Sequence, residues 1–237
     1  MITLLLILVL TGSTNIEDSL HNELDLEIRM TTIGTLNKHY IKNHDYNGAR
    51  DFLETYENKV EWNDQAIIQV LIGDNLLYAG SLLGAREKYL TVVGRYTKSP
   101  AANDALERLY LLETARTDTN TLKRLAYVLG RLYCEQWMIA EDSLKQLLET
   151  KLRLHAYFHL ALLYKETGDI PLAMSMLDAL ENEYPAHKLL AVPLLRAEIY
   201  LDSENPDGAR AVLEDLIIQY PQSIHAVRAR MLLKTIQ

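Results

Sequence analysis

Two histidines, His155 and His159, are the side chains best spaced to share a metal ion. They stand four residues apart in a segment with helical periodicity, so their imidazoles lie on one face of the helix. In zinc-protease helices of this kind a glutamate follows the first histidine, but here that residue is Ala156. No third ligand can be named from the sequence. We therefore predict no metal site and expect these histidines to be solvated or to face a binding groove.

Other kinds of catalytic centre leave no signature in the sequence. No serine lies in a GxSxG nucleophile elbow, and no glycine-rich segment has phosphate-loop spacing. The single cysteine, Cys134, cannot form an internal disulfide and lies in an apolar helical pattern, so we expect a buried thiol. Acidic pairs such as Glu141-Asp142 and Glu214-Asp215 fall opposite the leucines, which is typical of solvated helix faces. The sequence thus predicts no catalytic residue, no cofactor and no enzyme.

The composition is that of a folded protein with an acidic surface. Of 237 residues, 49% are hydrophobic and 24% are charged, which is an ordinary globular balance. Lysine and arginine number 24 against 32 acidic residues, giving a formal net charge of −8. No dense lysine–arginine cluster occurs along the chain, so a nucleic acid is not an expected partner.

The segments that position these side chains repeat along the chain. A pattern between Leu154 and Pro185 returns after a constant shift of 36 residues, the distance from Ala173 to Ala209. The five matched pairs are Tyr164 and Tyr200, Ala173 and Ala209, Leu177 and Leu213, Leu180 and Leu216, and Pro185 and Pro221. A fixed period in this range indicates stacked helical repeats, because one helix pair cannot bury both apolar faces without its neighbours.

Two earlier repeats follow the same register. Ala49 and Ala85 are also 36 residues apart, and we expect each to lie where the two helices of a pair approach closely. Residues 44–48 contain the Asp and Asn expected in a turn between helices. Trp62 falls in the predicted connection between these two repeats.

An additional helix interrupts the period in the middle of the chain. Residues 101–115 are apolar-rich and predict a helix that belongs to no pair. Residues 117–121 then supply poor helix formers and candidate N-caps. A third pair follows over residues 122–147, with Ala140 at the alanine position. About eleven helices and no strand are predicted for the whole chain.

The repeated pattern resembles the tetratricopeptide repeat, which runs Leu-Gly-x2-Tyr, then Ala-x3-Phe, then Pro. Tyr164, Ala173 and Pro185 match its tyrosine, alanine and closing proline, as do their counterparts 36 residues later. The resemblance covers about residues 30–237. It implies an all-α fold, a right-handed α-solenoid of antiparallel helix pairs, in one repeat domain over residues 14–237.

The start of the chain favours export. Residues 2–10 are almost wholly apolar and are followed by small polar residues, a pattern typical of a signal segment over residues 1–13. Leu10-Thr11-Gly12 resembles a lipoprotein signal, although Ser13 stands where the lipidated cysteine belongs. Two alternatives are a first helix packed on the solenoid and a true start of the chain further upstream. Export predicts a periplasmic or outer-membrane location, and its absence a cytoplasmic one.

A second motif points to the same compartment. The segment from Tyr220-Pro221 through Ser223 to Ala226 is similar to repeat closures in bacterial envelope tetratricopeptide proteins. Those include the lipoprotein of the outer-membrane β-barrel assembly machine and the periplasmic partner of the Tol-Pal system. The resemblance implies a non-catalytic scaffold that holds protein partners in an envelope assembly. The alternatives are a cytoplasmic adaptor or chaperone, and the solenoid arm of a larger enzyme.

The resemblance also implies where a partner would bind. In tetratricopeptide repeats the first helix of each pair lines a concave groove. Counted from the alanine of each repeat, the expected groove residues are Val70, Asp74, Leu77, Leu129, His155, Phe158, Leu162, Leu194, Glu198 and Leu201, with Lys165 one turn beyond Leu162. Most are apolar, and the Lys/Asn set with which some members clamp a peptide carboxylate is absent.

An apolar groove predicts a particular kind of partner. A hydrophobic segment or helix of a protein or peptide would dock in it, with any membrane contact indirect. The alternative is that neighbouring helices of this chain cover the same face.

Overall fold

In the computed structural model of the protein, the described residues are 18–21, 23, 29–114, 116–187 and 189–236. The possible signal segment, residues 1–13, lies outside them. The described residues contain twelve helices of ten or more residues and no strand, close to the eleven helices predicted. The prediction of an all-α fold is confirmed.

The helices are numbered in chain order. The first six are α1 Met30–Lys42, α2 Tyr46–Glu57, α3 Trp62–Tyr78, α4 Leu82–Arg95, α5 Ala101–Thr114 and α6 Thr119–Tyr133. The last six are α7 Trp137–Leu147, α8 Arg153–Glu166, α9 Ile170–Glu183, α10 Ala191–Asp202, α11 Pro206–Gln219 and α12 Ile224–Leu233. The sequence predicted that Trp62 lies in a connection, but in the structure Trp62 is the first residue of α3.

The helices group into two compact units, Met1–Gln136 and Trp137–Gln237. In the first unit α1 packs on α2, α2 on α3, α3 on α4, and α5 on α4 and α3. Helix α6 of this unit packs on α3 and α1. In the second unit each helix from α7 to α12 packs on the next. The boundary between the units falls between α6 and α7, the two helices of the predicted third pair.

The repeated alanines all lie in the core. Each is fully buried, as expected for a small residue at a helix crossing. The set is Ala49, Ala85, Ala140, Ala173 and Ala209. The 36-residue period read from the sequence therefore reports helix packing.

Three of the turns between paired helices share one construction. A residue with positive φ ends the turn: 62° at His44, 83° at Gly168 and 56° at Glu204. The next side chain caps the following helix by accepting a backbone N–H three residues later. The capped pairs are Asp45 with Gly48, Asp169 with Leu172, and Asn205 with Gly208. Only Gly168 adopts this backbone conformation without steric cost.

The core of the first unit combines apolar and polar groups. Ile33, Leu36, Phe52 and Ile72 belong to an apolar cluster formed by α1, α2 and α3. Beside it, the buried amides of Asn37 on α1 and Asn75 on α3 exchange hydrogen bonds of 2.7 and 3.4 Å. The core of the second unit is apolar around α10 and α11, where Leu194, Leu213 and Leu216 pack together.

Candidate protein-binding surface

The expected groove residues of α3 lie in the core of the first unit. Val70 and Asp74 are 8% and 7% exposed, and Leu77 is fully buried. Helices α5 and α6 both pack on α3. The close approach of α6 is visible at Gly130, where a Cβ would meet the ring of Tyr78 at 3.0 Å. On α3, neighbouring helices therefore cover the face that was expected to line the groove.

Asp74 is held by two donors that the sequence count did not associate with it. Its Oδ1 accepts a hydrogen bond from the hydroxyl of Tyr89 at 2.6 Å and from Nε of Arg108 at 3.1 Å. Arg108 lies on α5, the helix that interrupts the period. The carboxylate of Asp74 raises the pKa of Arg108, whereas burial is the main cause of the raised pKa of Tyr89. This ion pair fastens α5 to the inner face of α3.

Leu129, the expected groove residue of α6, is half-buried in the first unit. The same helix carries the fully buried Leu125 and the buried Arg131. Of these three residues of α6, Leu129 alone is partly accessible, and it is the one that the sequence predicted to face the groove.

Helix α8 of the second unit presents a partly accessible stripe. Phe158, Leu162 and Lys165 are half-buried and lie at spacings of four and three residues, so they share one helix face. His155, one turn before Phe158, is only 5% exposed. Three of the four residues expected on this helix thus form a continuous accessible strip.

Helix α10 contributes a second stripe. Glu198 and Leu201 are half-buried, and Leu201 packs against the apolar cluster of α10, α11 and α12. Leu194 is 6% exposed and belongs to that cluster, so it serves the core.

Lys165 joins the two stripes. Its Nζ lies 3.4 Å from Glu198 and 3.9 Å from Asp202 on α10, and 3.3 Å from Glu166 on its own helix. Burial lowers the pKa of Lys165, but the carboxylates outweigh burial and raise the pKa above its ordinary value. Three carboxylates surround one ammonium, so the local charge is negative. We call the face made by Phe158, Leu162, Lys165, Glu198 and Leu201 the α8–α10 surface.

Asp202 is the contributor that sequence reasoning missed. It stands one residue beyond the last position counted on α10, and the only available signal was an acidic residue next to Leu201. Helix periodicity brings it to the lysine because residues 198 and 202 are one turn apart.

The two histidines do not resemble a metal site. Nε2 of His155 is buried without a hydrogen-bond partner among the described residues, and burial lowers the pKa of this imidazole to about 4. His159 is half-buried and packs edge-on against Phe158 at 5.2 Å between ring centroids. Within the described residues, no three histidines, cysteines or acids come together as a metal would require. None of the helices formed by the described residues has the length and apolar composition of a membrane span.

Comparison with known proteins locates the repeats in the second unit. A sequence model described as the tetratricopeptide repeat matches residues 155–187 and 194–223. These segments contain most of the helix pairs α8–α9 and α10–α11. No curated protein matches the sequence.

Several solved structures also match the chain at low sequence identity. PilW, described as a widely conserved type IV pilus biogenesis factor, is 16% identical with a TM-score of 0.42, and the match covers 87% of this chain and 97% of PilW. The Cut9–Hcn1 hetero-tetramer of APC/C gives 14% identity and 0.44, covering 93% of this chain and 46% of that one.

The third structure is the C-terminal part of a TPR repeat-containing protein from Cytophaga hutchinsonii. It gives 18% identity and a TM-score of 0.37, covering 91% of this chain and 93% of that one. The family model by itself matches the helix pairs that carry the α8–α10 surface.

Proposed function

We propose that the protein is a non-catalytic scaffold that binds a segment of a protein partner on the α8–α10 surface. The observation that carries this proposal is the Lys165 bridge, which joins the partly accessible faces of α8 and α10 and is surrounded by an excess of negative charge. The proposal extends only to the second unit, where the family match lies.

The apolar part of the surface suits a hydrophobic anchor. Phe158 and Leu162 keep part of their surface in water, although they lie on a face flanked by core residues. Covering such area stabilises a complex by roughly 25 cal/mol per Å² of apolar surface. One or two apolar side chains of a partner segment would cover both residues.

The charge distribution narrows the partner further. Glu166, Glu198 and Asp202 carry three negative charges against the single positive charge of Lys165, and the side chains of all three acids are more than 40% exposed. A partner with a lysine or arginine next to its apolar residues would complete this arrangement. We therefore expect an apolar segment with a basic flank.

Site-specific photo-cross-linking tests this function. A photoreactive residue at position 162 on α8 is compared with one at position 214, an exposed site on α11 away from the surface. We expect position 162 to capture a protein whose cross-linked segment is apolar and flanked by lysine or arginine. Capture at both positions, or of a segment without that chemistry, would contradict the proposal.

Affinity for the captured partner then tests the charge. Glu198→Lys on the surface is compared with Glu214→Lys on α11, which makes the same change of charge elsewhere in the unit. We expect the first variant to weaken binding at least about ten-fold and the second to leave it unchanged. Equal effects would mean that net charge alone governs binding.

We further propose that this scaffold works in the bacterial cell envelope, in the periplasm or at the periphery of the outer membrane. The apolar run at residues 2–10 and the Tyr220-Pro221 closure support this location. Intact-mass measurement of the native protein tests it. A species that begins at or near Thr14 is expected, whereas an uncut Met1 would favour the cytoplasmic adaptor instead.

A further inference from the structure

Among the described residues, Arg131 in the first unit is a buried cation with no carboxylate partner. Its side chain is on α6 and the residue is 1% exposed. Its acceptors among the described residues carry no negative charge: Nη2 donates to the carbonyl oxygen of Ile41 at 3.0 Å and to the hydroxyl of Tyr46 at 3.5 Å, and Nη1 lies 3.3 Å from Nε2 of His44. Its Nε has no partner among the described residues. Buried charges in proteins are ordinarily paired, so this arrangement calls for an explanation.

The elements around Arg131 add positive charge. Ile41 lies in the last turn of α1, whose negative dipole end attracts a cation, but that turn already carries Lys42. Burial raises the pKa of the Cys134 thiol, whereas the positive charges of Arg131, Lys38 and Lys42 lower it. These three cations therefore lie near that sulfur. Lys38 has its own partner in Glu135 at 2.7 Å. Among the described groups that act on this thiol, three cations thus stand against the single carboxylate of Glu135, in a chain whose net charge is −8.

His44 is the solvent-exposed part of the arrangement. The residue is exposed, with φ of 62°, and its ring stacks on Tyr127 at 6.3 Å between centroids and 10° between planes. Tyr127 in turn lies 5.0 Å from the guanidinium carbon of Arg131. Because a guanidinium only donates hydrogen bonds, His44 Nε2 must be the acceptor. The neutral ring nitrogen thus occupies a position in which an oxyanion would accept a stronger hydrogen bond. Rotation of this exposed ring uncovers Nη1.

We propose that Arg131, together with the hydroxyl of Tyr46, forms an oxyanion-binding site that takes a carboxylate or phosphate group in the position now held by the His44 ring. The planar fork of Arg131 suits two oxygens of one anion, and charge-assisted hydrogen bonds to it are stronger than those from neutral acceptors. The anion comes either from an acidic side chain or terminus, or from a phosphate group. The site is formed by α1, α2 and α6, and does not depend on the α8–α10 surface.

Calorimetric titration of the full chain with inorganic phosphate and, separately, acetate tests the site. The informative variant is His44→Gly, which removes the competing ring and suits the positive φ at that position. We expect saturable binding that is at least about five-fold tighter in His44→Gly than in the unaltered protein. Preference for phosphate or for acetate identifies the source of the anion.

Two further variants locate the binding. Arg131→Lys in the His44→Gly background keeps the charge but removes the two-pronged donor, and we expect it to abolish the gain. Arg86→Lys in the same background, at an exposed arginine on α4, is the matched control and should change nothing. Two results would overturn the proposal: no saturable binding of either anion to His44→Gly, or a gain that survives Arg131→Lys. The His44→Gly comparison holds even where Arg131→Lys fails to fold.

Discussion

Asp74 and Glu198 stand at the same position of their repeats, 11 residues before the packing alanine, yet they have opposite surroundings. Asp74 is 7% exposed and bonded to Tyr89 and Arg108. The Glu198 side chain is 41% exposed and pairs with Lys165. One carboxylate fastens the core of the first unit, whereas the other borders an accessible surface in the second. Repeat position therefore fixes where a side chain lies on its helix, but not whether that face remains open.

The difference arises from α5. This helix has no counterpart among the second-unit repeats, and it packs on the inner face of α3 with Arg108 opposite Asp74. In the second unit, the corresponding face of α10 meets α8 through the side chain of Lys165. The inner face of α3 is thus part of the core because α5 and α6 both pack on it, and α5 carries the charge that matches Asp74.

Asp74→Ala should give the largest effect and would break the first half of the comparison. Removing one partner of a buried ion pair leaves the other uncompensated, and Tyr89 also loses its acceptor. We expect the free energy of unfolding to fall by about 3 kcal/mol, at the low end for such pairs because Arg108 is half-buried. Urea denaturation measures it. A loss below about 1 kcal/mol would mean that α5 is not fastened by this pair.

His155 sharpens the comparison at another repeat position. Its counterpart in the second repeat, Ile67, is 42% exposed, whereas His155 is 5% exposed. Because the folded-state pKa of His155 is about 4 against an ordinary 6.5, the unfolded chain binds more protons between these pH values. The contribution of neutral His155 to the free energy of unfolding is therefore fully present above pH 6.5, and about 3 kcal/mol of it is lost as the pH drops to 4.

Replacement of this histidine isolates its contribution. His155→Leu cannot be protonated and should remove that part of the pH dependence, while the slope due to carboxylates remains in both proteins. Thermal melts between pH 4 and 7 measure the difference. Parallel curves for the two proteins would show that His155 is not buried in the neutral form.

The sequence predicted much of this fold because the repeat leaves local signals. Alanine at a helix crossing and capping residues at the turns are set by backbone geometry, so the positions of Ala49, Ala173 and Asp45 could be read directly. The surface was less predictable. Counting from an alanine gives the helix face of Asp74 or Leu194, but burial depends on which other helix packs there.

The third predicted pair shows the same limit. Residues 122–147 have the correct spacing for two packed helices, but α6 packs on α3 and α1, and α7 packs on α8. An apolar helix face shows that the helix packs against another element, but it does not identify that element. The sequence of α6 therefore could not show that it packs on α3 and α1. Arg131 and its neutral acceptors were missed for this reason, since Ile41 and His44 lie about 90 residues away in sequence.

Overpacking the helix crossings should have an intermediate and equal effect in both units. Ala85 on α4 and Ala173 on α9 are both fully buried, so a leucine at either site must displace its neighbours. We expect Ala85→Leu and Ala173→Leu each to lower the free energy of unfolding by about 2 kcal/mol. Denaturation midpoints measure this. An unchanged midpoint in either variant would show that the crossing there is looser than the shared register implies.

Glu198→Ala should have the smallest effect on stability, and it completes the comparison with Asp74→Ala. The carboxylate is more than one-third exposed, and Lys165 retains Asp202 and Glu166 after its removal. An exposed ion pair of this kind contributes below about 1 kcal/mol, so the denaturation midpoint should barely move.

The main effect of Glu198→Ala should be on the affinity for the partner. Loss of one of three carboxylates removes an attraction for the basic flank of a bound segment, and we expect binding to weaken about two- to five-fold. Measured beside Asp74→Ala, it separates the roles of two acids at one repeat position. If Glu198→Ala instead destabilised the protein as strongly as Asp74→Ala, the α8–α10 surface would be core, and its place as the binding site would be lost.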